Sequence, residues 1–442
     1  MDSYAFYALG ALGVWAAASP FPPEQPHLVC EELTSLLPGR IPTLHSPTYM
    51  ESPTTVDEVS TAIVTLARAY NDYGEQFAIR SRGHMPHAGA ANIQGGVTVD
   101  LRALPEVQVS DDRGTVVIGT GASWGEVYKV LSPLNVTVPG GRASSIGVGG
   151  FLTGGGLSAL GPATEWGCDS VLEYEVVLAS GKIITVNETS YEDLFLALKG
   201  GSNNFGVATK FTMKTYPSSG IWVGEAYSSF MDPANFDPLA EPVQGYGWTT
   251  EQKRLFVTDL LFYTEPRPDA PYVEKKEKEQ GSSQPPGLNY LFFTTTFAHS
   301  PLMYAAIVSE FEASIPAISS IKGTNRYMAF QPSPALKGQN SLSIDSKYKR
   351  LNTLILEAVF PDPLNIRLVR REAQQLIAAI EKLTKDTGVY HPFKDLNYAN
   401  ASQDVVAAYG REVSDKLRDV SKKYDPEGVF QKAIPGGFKL LA

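Results

Sequence analysis

The chain has 442 residues, 43% of them hydrophobic and 19% charged, enough apolar material for two domains or one large two-lobed unit. Lys+Arg of 37 against Asp+Glu of 47 give a net charge of −10 with no basic run of five, which argues against nucleic acid as a partner, since that would need a cationic face. Two cysteines, Cys30 and Cys168, exclude a disulfide scaffold, and six histidines without a zinc-like spacing leave metal catalysis unsupported.

Residues 5–18 form an apolar run too short to span a bilayer, and Ala16-Ala17-Ala18 before Ser19 has the small-residue pattern of a cleavage site. Residues 1–18 therefore read as a signal peptide, and the protein as entering the secretory pathway without a stable membrane anchor. Asp2 and the lack of Lys or Arg make that segment atypical, and the other reading is cytoplasmic. Asn135-Val-Thr, Asn187-Glu-Thr and Asn400-Ala-Ser fit glycosylation acceptors in a secreted chain. Residues 20–53 are proline-rich and read as irregular. Thr55-Val-Asp-Glu58 is a capping box, followed by a helical stripe of Val56, Val59, Ile63, Leu66 and Tyr70 that Gly74 can close.

Phe77–Ile79 reads as a buried strand leading into Arg80-Ser81-Arg82-Gly83-His84. Strands are expected at Val97–Leu101 and Val116–Ile118, and a short helix at Trp124–Leu131. Pro139 to Gly156 is then dominated by glycine, with neither Lys nor Asp. Glycine at that density marks backbone that approaches something closely, and converging N–H groups suit a phosphate. The interleaved Ile146, Val148, Phe151 and Leu152 argue against a solvated linker. No Lys follows the glycines, which excludes a P-loop, and Leu152 stands where a Rossmann fingerprint from Gly147 needs its third glycine. A nucleotide is compatible, on a different fold.

Further on, Leu172–Leu178 and Lys182–Val186 form a hairpin, Tyr191–Lys199 a short helix and Val207–Thr215 a strand. From about residue 219 the texture changes to longer strands, Leu255–Tyr263, Tyr290–Phe297 and Thr353–Val359. Two long helices accompany them, near Leu302–Ile315 and Ile366–Thr387. Glu274–Gly287 reads as a solvated loop. The last helix carries Tyr409, Val413, Leu417, Val420 and Tyr424 on one face.

Gly83-His84 after a strand, the glycine run, Trp166-Gly167-Cys168-Asp169, Gly200 to Gly206, Leu396-Asn397-Tyr398 and Tyr424 to Phe430 follow one another in an order that resembles the FAD-linked oxidoreductases of the vanillyl-alcohol-oxidase type, in their berberine-bridge-enzyme-like branch. The likeness looks closest to fungal natural-product members. It implies an α+β fold: a two-part PCMH-type FAD-binding domain over residues 46–217, a substrate domain over 218–388 with an antiparallel sheet covered by helices, and a C-terminal segment, 389–442, that packs back on the FAD domain.

By that resemblance Arg80, Ser81, Arg82, Gly83 and His84 form the loop around the FAD pyrophosphate, with His84 bonded to the flavin 8α-methyl and His87 as its competitor. Gly147, Gly149, Gly150, Gly154, Gly155, Gly156 and Ser158 match the segment against the isoalloxazine and pyrophosphate. Asn203, Phe205, Gly206 and Val207 match the adenine and ribose side. Ala143 stands where bicovalent members carry a cysteine, so a single link through His84, or none, is expected. Arg82 replaces the family's usual glycine. Cys168 reads as a buried structural thiol.

Tyr398 is the candidate base, with Asn397 orienting it or bonding the flavin edge. A phenol needs a nearby cation, or the flavin itself, to accept a proton at neutral pH. Phe292 and Phe297 are expected to set substrate shape. The resemblance implies an oxidase that takes a small organic substrate and passes electrons to molecular oxygen. A dehydrogenase, an oxidative cyclase or a catalytically impaired flavin-binding homologue are the rival readings.

Overall fold

The computed structural model describes residues 26–40, 49–218, 222–224, 240–251, 253–263, 287–334, 340–342, 344 and 351–440. The signal-peptide reading of residues 1–18 and nearly all of the solvated loop read at 274–287 lie outside them.

Strands Tyr49–Glu51, Val97–Asp100 and Phe77–Arg80 make a parallel sheet with Val97–Asp100 in the centre. Helix Val56–Tyr73 connects the two outer strands. Thr55 caps it by accepting the Glu58 N–H, while the Glu58 carboxylate accepts from the Thr54 N–H and from Arg40. Gly74, at φ 75°, ends it in the left-handed conformation that favours glycine.

Residues 26–36 are helical (Pro26–Leu36), against the expectation of irregular chain. Proline is tolerated in the first turn of a helix, so Pro26 starts it and Pro38 lies beyond its end. Val29, Cys30, Leu33 and Leu37 are buried in one cluster with the core-facing stripe of Val56–Tyr73.

A second sheet is antiparallel, in the order Val107–Val109, Thr115–Gly119, Val207–Lys214, Val171–Val177, Ile183–Asn187. The expected hairpin across Ser180-Gly181 pairs its last two strands. Helix Trp124–Leu131 begins at a full capping box, Ser123 with Glu126. Its Trp124 packs edge-on against Phe151 of the glycine run, with ring centroids 5.1 Å apart.

The third sheet has seven antiparallel strands in the order Trp222–Gly224, Leu255–Tyr263, Ala240–Thr249, Asn325–Pro332, Leu351–Phe360, Asn289–Ala298, Tyr390–His391. Helices Pro301–Ser314 and Ile366–Asp386 cover one face, where Leu291, Phe293, Phe297, Leu354 and Leu356 meet Ile307, Val369, Leu376 and Ile380. The other face turns toward the first half of the molecule.

Beyond Tyr390–His391 the chain leaves this sheet. Phe393, Leu396, Tyr409 and Leu417 join the core of the second sheet, and Val429, Phe430 and Ile434 join the cluster around Val56–Tyr73. The helix read from Tyr409 starts at Arg411; Tyr409 stands on the preceding turn and donates its hydroxyl to the Gly200 carbonyl at 3.0 Å.

Candidate active site

A cavity of about 680 Å³, the size of a cofactor or ligand site, is lined by segments from all three parts of the chain. Ser81, Arg82, Gly83 and His84 line it from the loop after Phe77–Arg80, and Gly147, Gly149 and Gly150 from the glycine run. Asn203, Gly206 and Val207 contribute from the start of Val207–Lys214, and Asn397 and Tyr398 from the C-terminal segment.

The two loops meet backbone to backbone. A Cβ on Gly147 would lie 2.5 Å from Ser81 Oγ and 2.9 Å from the Arg82 nitrogen, and one on Gly149 would strike the Thr120 hydroxyl. Ser81 fixes the contact by donating its hydroxyl to the Thr120 carbonyl at 2.7 Å. At Gly150 an added Cβ meets nothing within 4 Å, and the residue lines the cavity. The first two glycines are glycine because of protein; at Gly150 the open space belongs to the cavity.

His84 stands open to the cavity, and desolvation by the walls around it lowers its pKa. The imidazole is held neutral. His87 does not line the cavity; its ring meets Phe438 edge-on at 5.4 Å. Arg82 lines the wall with its guanidinium bound to Glu126, the capping carboxylate of helix Trp124–Leu131.

Asn397 and Tyr398 sit on a turn built by Asp395, whose carboxylate accepts the Asn397 N–H at 2.9 Å and whose carbonyl accepts the Tyr398 N–H at 3.1 Å. Asn397 donates its side-chain amide to the Phe151 carbonyl at 3.1 Å. The Tyr398 oxygen accepts a hydrogen bond from Arg142 at 2.9 Å. The same guanidinium donates to Gln331 Oε1 on strand Asn325–Pro332 and stands 5.8 Å from the Phe262 ring centroid.

These features fit a flavin dinucleotide. Gly150 offers a bare cradle, His84 a neutral ring nitrogen able to act as a nucleophile, and Tyr398 a phenol on the same cavity.

Residues 47–187 match the model of the family described as FAD binding domain. The FAD-dependent monooxygenase tpcD of Cochliobolus heterostrophus is 30% identical over 433 residues, covering 86% of this chain and 82% of the relative. The chain belongs to the FAD-dependent oxidoreductases that carry this FAD-binding domain. Two solved structures share the fold. The 6-hydroxy-D-nicotine oxidase of Arthrobacter nicotinovorans superposes with a TM-score of 0.71 at 19% identity, over 90% of this chain and 93% of its own. Glucooligosaccharide oxidase from Acremonium strictum, with its 6-S-cysteinyl, 8α-N1-histidyl FAD, gives 0.68 at 18% identity, over 89% and 92%.

In this FAD-linked oxidoreductase several expected site residues stand behind the wall rather than on it. Gly154 leaves room for Asn397, whose side-chain oxygen a Cβ there would strike. Gly155 and Gly156, at φ 111° and 84°, turn the chain after the run, and Ser158 accepts the Leu160 N–H in the next turn. Phe205 is fully buried in the core, and Arg80 donates to Asn92 beside Gly83. None of these six lines the cavity.

Phe292 lines the cavity but Phe297 does not: five residues apart on one strand, they point to opposite faces, and Phe297 is fully buried against Tyr304 and Phe330 beneath the helices. Ala143 lines the cavity with a methyl group, and Cys168 is buried elsewhere with its thiol pushed up by burial. Neither cysteine is in a disulfide. Asn400 is 4% exposed and accepts two hydrogen bonds from Ser402, so it is no glycosylation acceptor in the folded chain.

Sequence reasoning missed Arg142, Gln331, Asp395 and Lys439. Lys439 donates to Asn203 at 3.3 Å and to the Phe430 carbonyl at 3.0 Å, and burial pulls its pKa down to about 7. Arg142 carried a signal, as the one charged residue inside the glycine run. The other three are paired only by the fold.

Proposed function

We propose that this oxidoreductase is an oxidase of a small organic substrate, of the kind made in secondary metabolism, with FAD held by a single covalent link through His84. Bound FAD supplies a hydride acceptor at N5 and returns the electrons to molecular oxygen as hydrogen peroxide. Tyr398 takes the proton that accompanies the hydride, and Asn397 holds the turn in place from the glycine run. Val243, Phe262 and Phe292 shape an apolar side of the cavity that excludes water. Entry into the secretory pathway remains part of the proposal, carried by the apolar run at residues 5–18.

The observation that carries the reading is that a neutral imidazole, an unfilled glycine cradle and a phenol line one cavity. The purified protein is expected to be yellow, with flavin remaining on the acid-precipitated polypeptide, and His84→Ala to make that flavin extractable. A colourless protein that takes up no added FAD would refute the proposal, and flavin still covalently held in His84→Ala would refute the link. The printed name of the Cochliobolus relative favours a second reading, in which one oxygen atom enters the product. Labelled dioxygen separates the two: label in hydrogen peroxide alone marks the oxidase, label in the product the monooxygenase.

A further inference from the structure

We propose that Arg142 is a positioning residue that poises Tyr398 as the proton acceptor of the reaction, an inference that rests on the oxidase reading above. The guanidinium joins three separate parts of the chain. It leaves the glycine run, donates to the Tyr398 oxygen at 2.9 Å on the C-terminal turn, and is held by Gln331 on the seven-stranded sheet, with the Phe262 ring beside it. Its place is thus fixed by the assembly of both halves of the molecule.

Arginine suits this task chemically. A guanidinium is cationic at every working pH and accepts no hydrogen bond, so it favours the phenolate without competing for the proton. An opposite charge in hydrogen-bond contact lowers an acid's pKa by about 1–3 units. Asp395, on the same turn, feels Arg142 but forms no ion pair with it; Oδ1 accepts the Asn397 N–H and Oδ2 is buried without a partner. Burial raises Asp395 to about 7, so it is neutral below that pH and shares the charge of Arg142 with the phenol only above it. His84, across the cavity, is held neutral by desolvation, and Gln331 carries no charge.

The proton balance is then complete. The proton on the substrate's oxygen or nitrogen passes to Tyr398 while the adjacent C–H leaves as hydride. Dioxygen takes up the two electrons and two protons as hydrogen peroxide, and Tyr398 returns to the phenolate.

The test reads the phenol directly and needs no substrate. Flavin-loaded protein is labelled with 3-fluorotyrosine, the Tyr398 resonance is assigned by its loss in Tyr398→Phe, and its ¹⁹F shift is followed against pH. Tyr398 is expected to titrate below the exposed tyrosines. Arg142→Gln, which keeps a donor but removes the charge, should raise the midpoint by at least about one pH unit, and Arg142→Lys should restore most of the difference. An unmoved midpoint in an Arg142→Gln protein that melts and binds flavin normally would overturn the inference. Should that variant not fold, Gln331→Leu frees the guanidinium from its anchor and must raise the midpoint in the same direction; no change there overturns it equally. Failure to take up FAD would instead refute the oxidase reading, a separate result seen in the flavin spectrum.

Discussion

The two sides of the cavity are made of different material. The side from the first half is backbone: Gly147 and Gly149 press against Ser81, Arg82 and Thr120 so closely that no Cβ fits, and little can change there without moving a loop. The side from the seven-stranded sheet is made of side chains on a regular scaffold, with Phe292 projecting inward and Phe297 outward from one strand. A backbone wall suits a ligand that never varies, such as a cofactor. A wall of exchangeable side chains suits a substrate that differs from one enzyme to the next.

The sharpest contrast lies within the second wall. Phe297→Ala empties a fully buried site and should cost about 3–5 kcal/mol in chemical denaturation. Phe292→Ala should cost well under half of that and instead change which substrates bind. Equal losses of stability at both positions would mean that the sheet has no separate substrate face.

A smaller difference is expected within the backbone wall. Gly147→Ala has no room and should lower both the melting temperature and flavin content. Gly150→Ala meets no protein atom, so the melting temperature of the flavin-free protein should hold while flavin uptake falls several-fold. Absorbance of bound flavin after gel filtration measures both. Normal uptake by Gly150→Ala would place the cofactor away from the run.

The same division decides what was legible in the sequence. Glycines crowded by neighbouring backbone leave a dense local signature, and the strands and helix caps of the first half follow local rules, down to the bounds of helix Trp124–Leu131. Strand Ala240–Thr249 escaped notice because Pro242, Gly245 and Gly247 are poor strand formers; they are accommodated there because Tyr327 and Phe256 of the adjacent strands lie across the two glycines. Phe297 was assigned to the cavity although the two-residue period of a strand already set it opposite Phe292. Arg142, Gln331 and Tyr398 are 189 or more residues apart in two of their three pairings, so no local pattern could reveal their meeting.

Asp395 stands where the walls join, and its titration gives the smallest and most specific test. Its folded pKa of about 7 lies above the roughly 3.9 of a free aspartate, because burial disfavours the charge. A raised acid contributes its full stability below the unfolded value and loses it as pH rises toward the folded one. Stability should therefore fall between about pH 4 and 7 and level off above, by at most about 4 kcal/mol at 1.36 kcal/mol per unit. Asp395→Asn can still accept the Asn397 N–H but cannot ionise, so its melting curve should lack this decline, and parallel curves for the two proteins would exclude it. Above pH 7 the wild-type carboxylate also draws on the charge of Arg142, so in Asp395→Asn the Tyr398 midpoint should move slightly lower, by less than the Arg142→Gln variant moves it up.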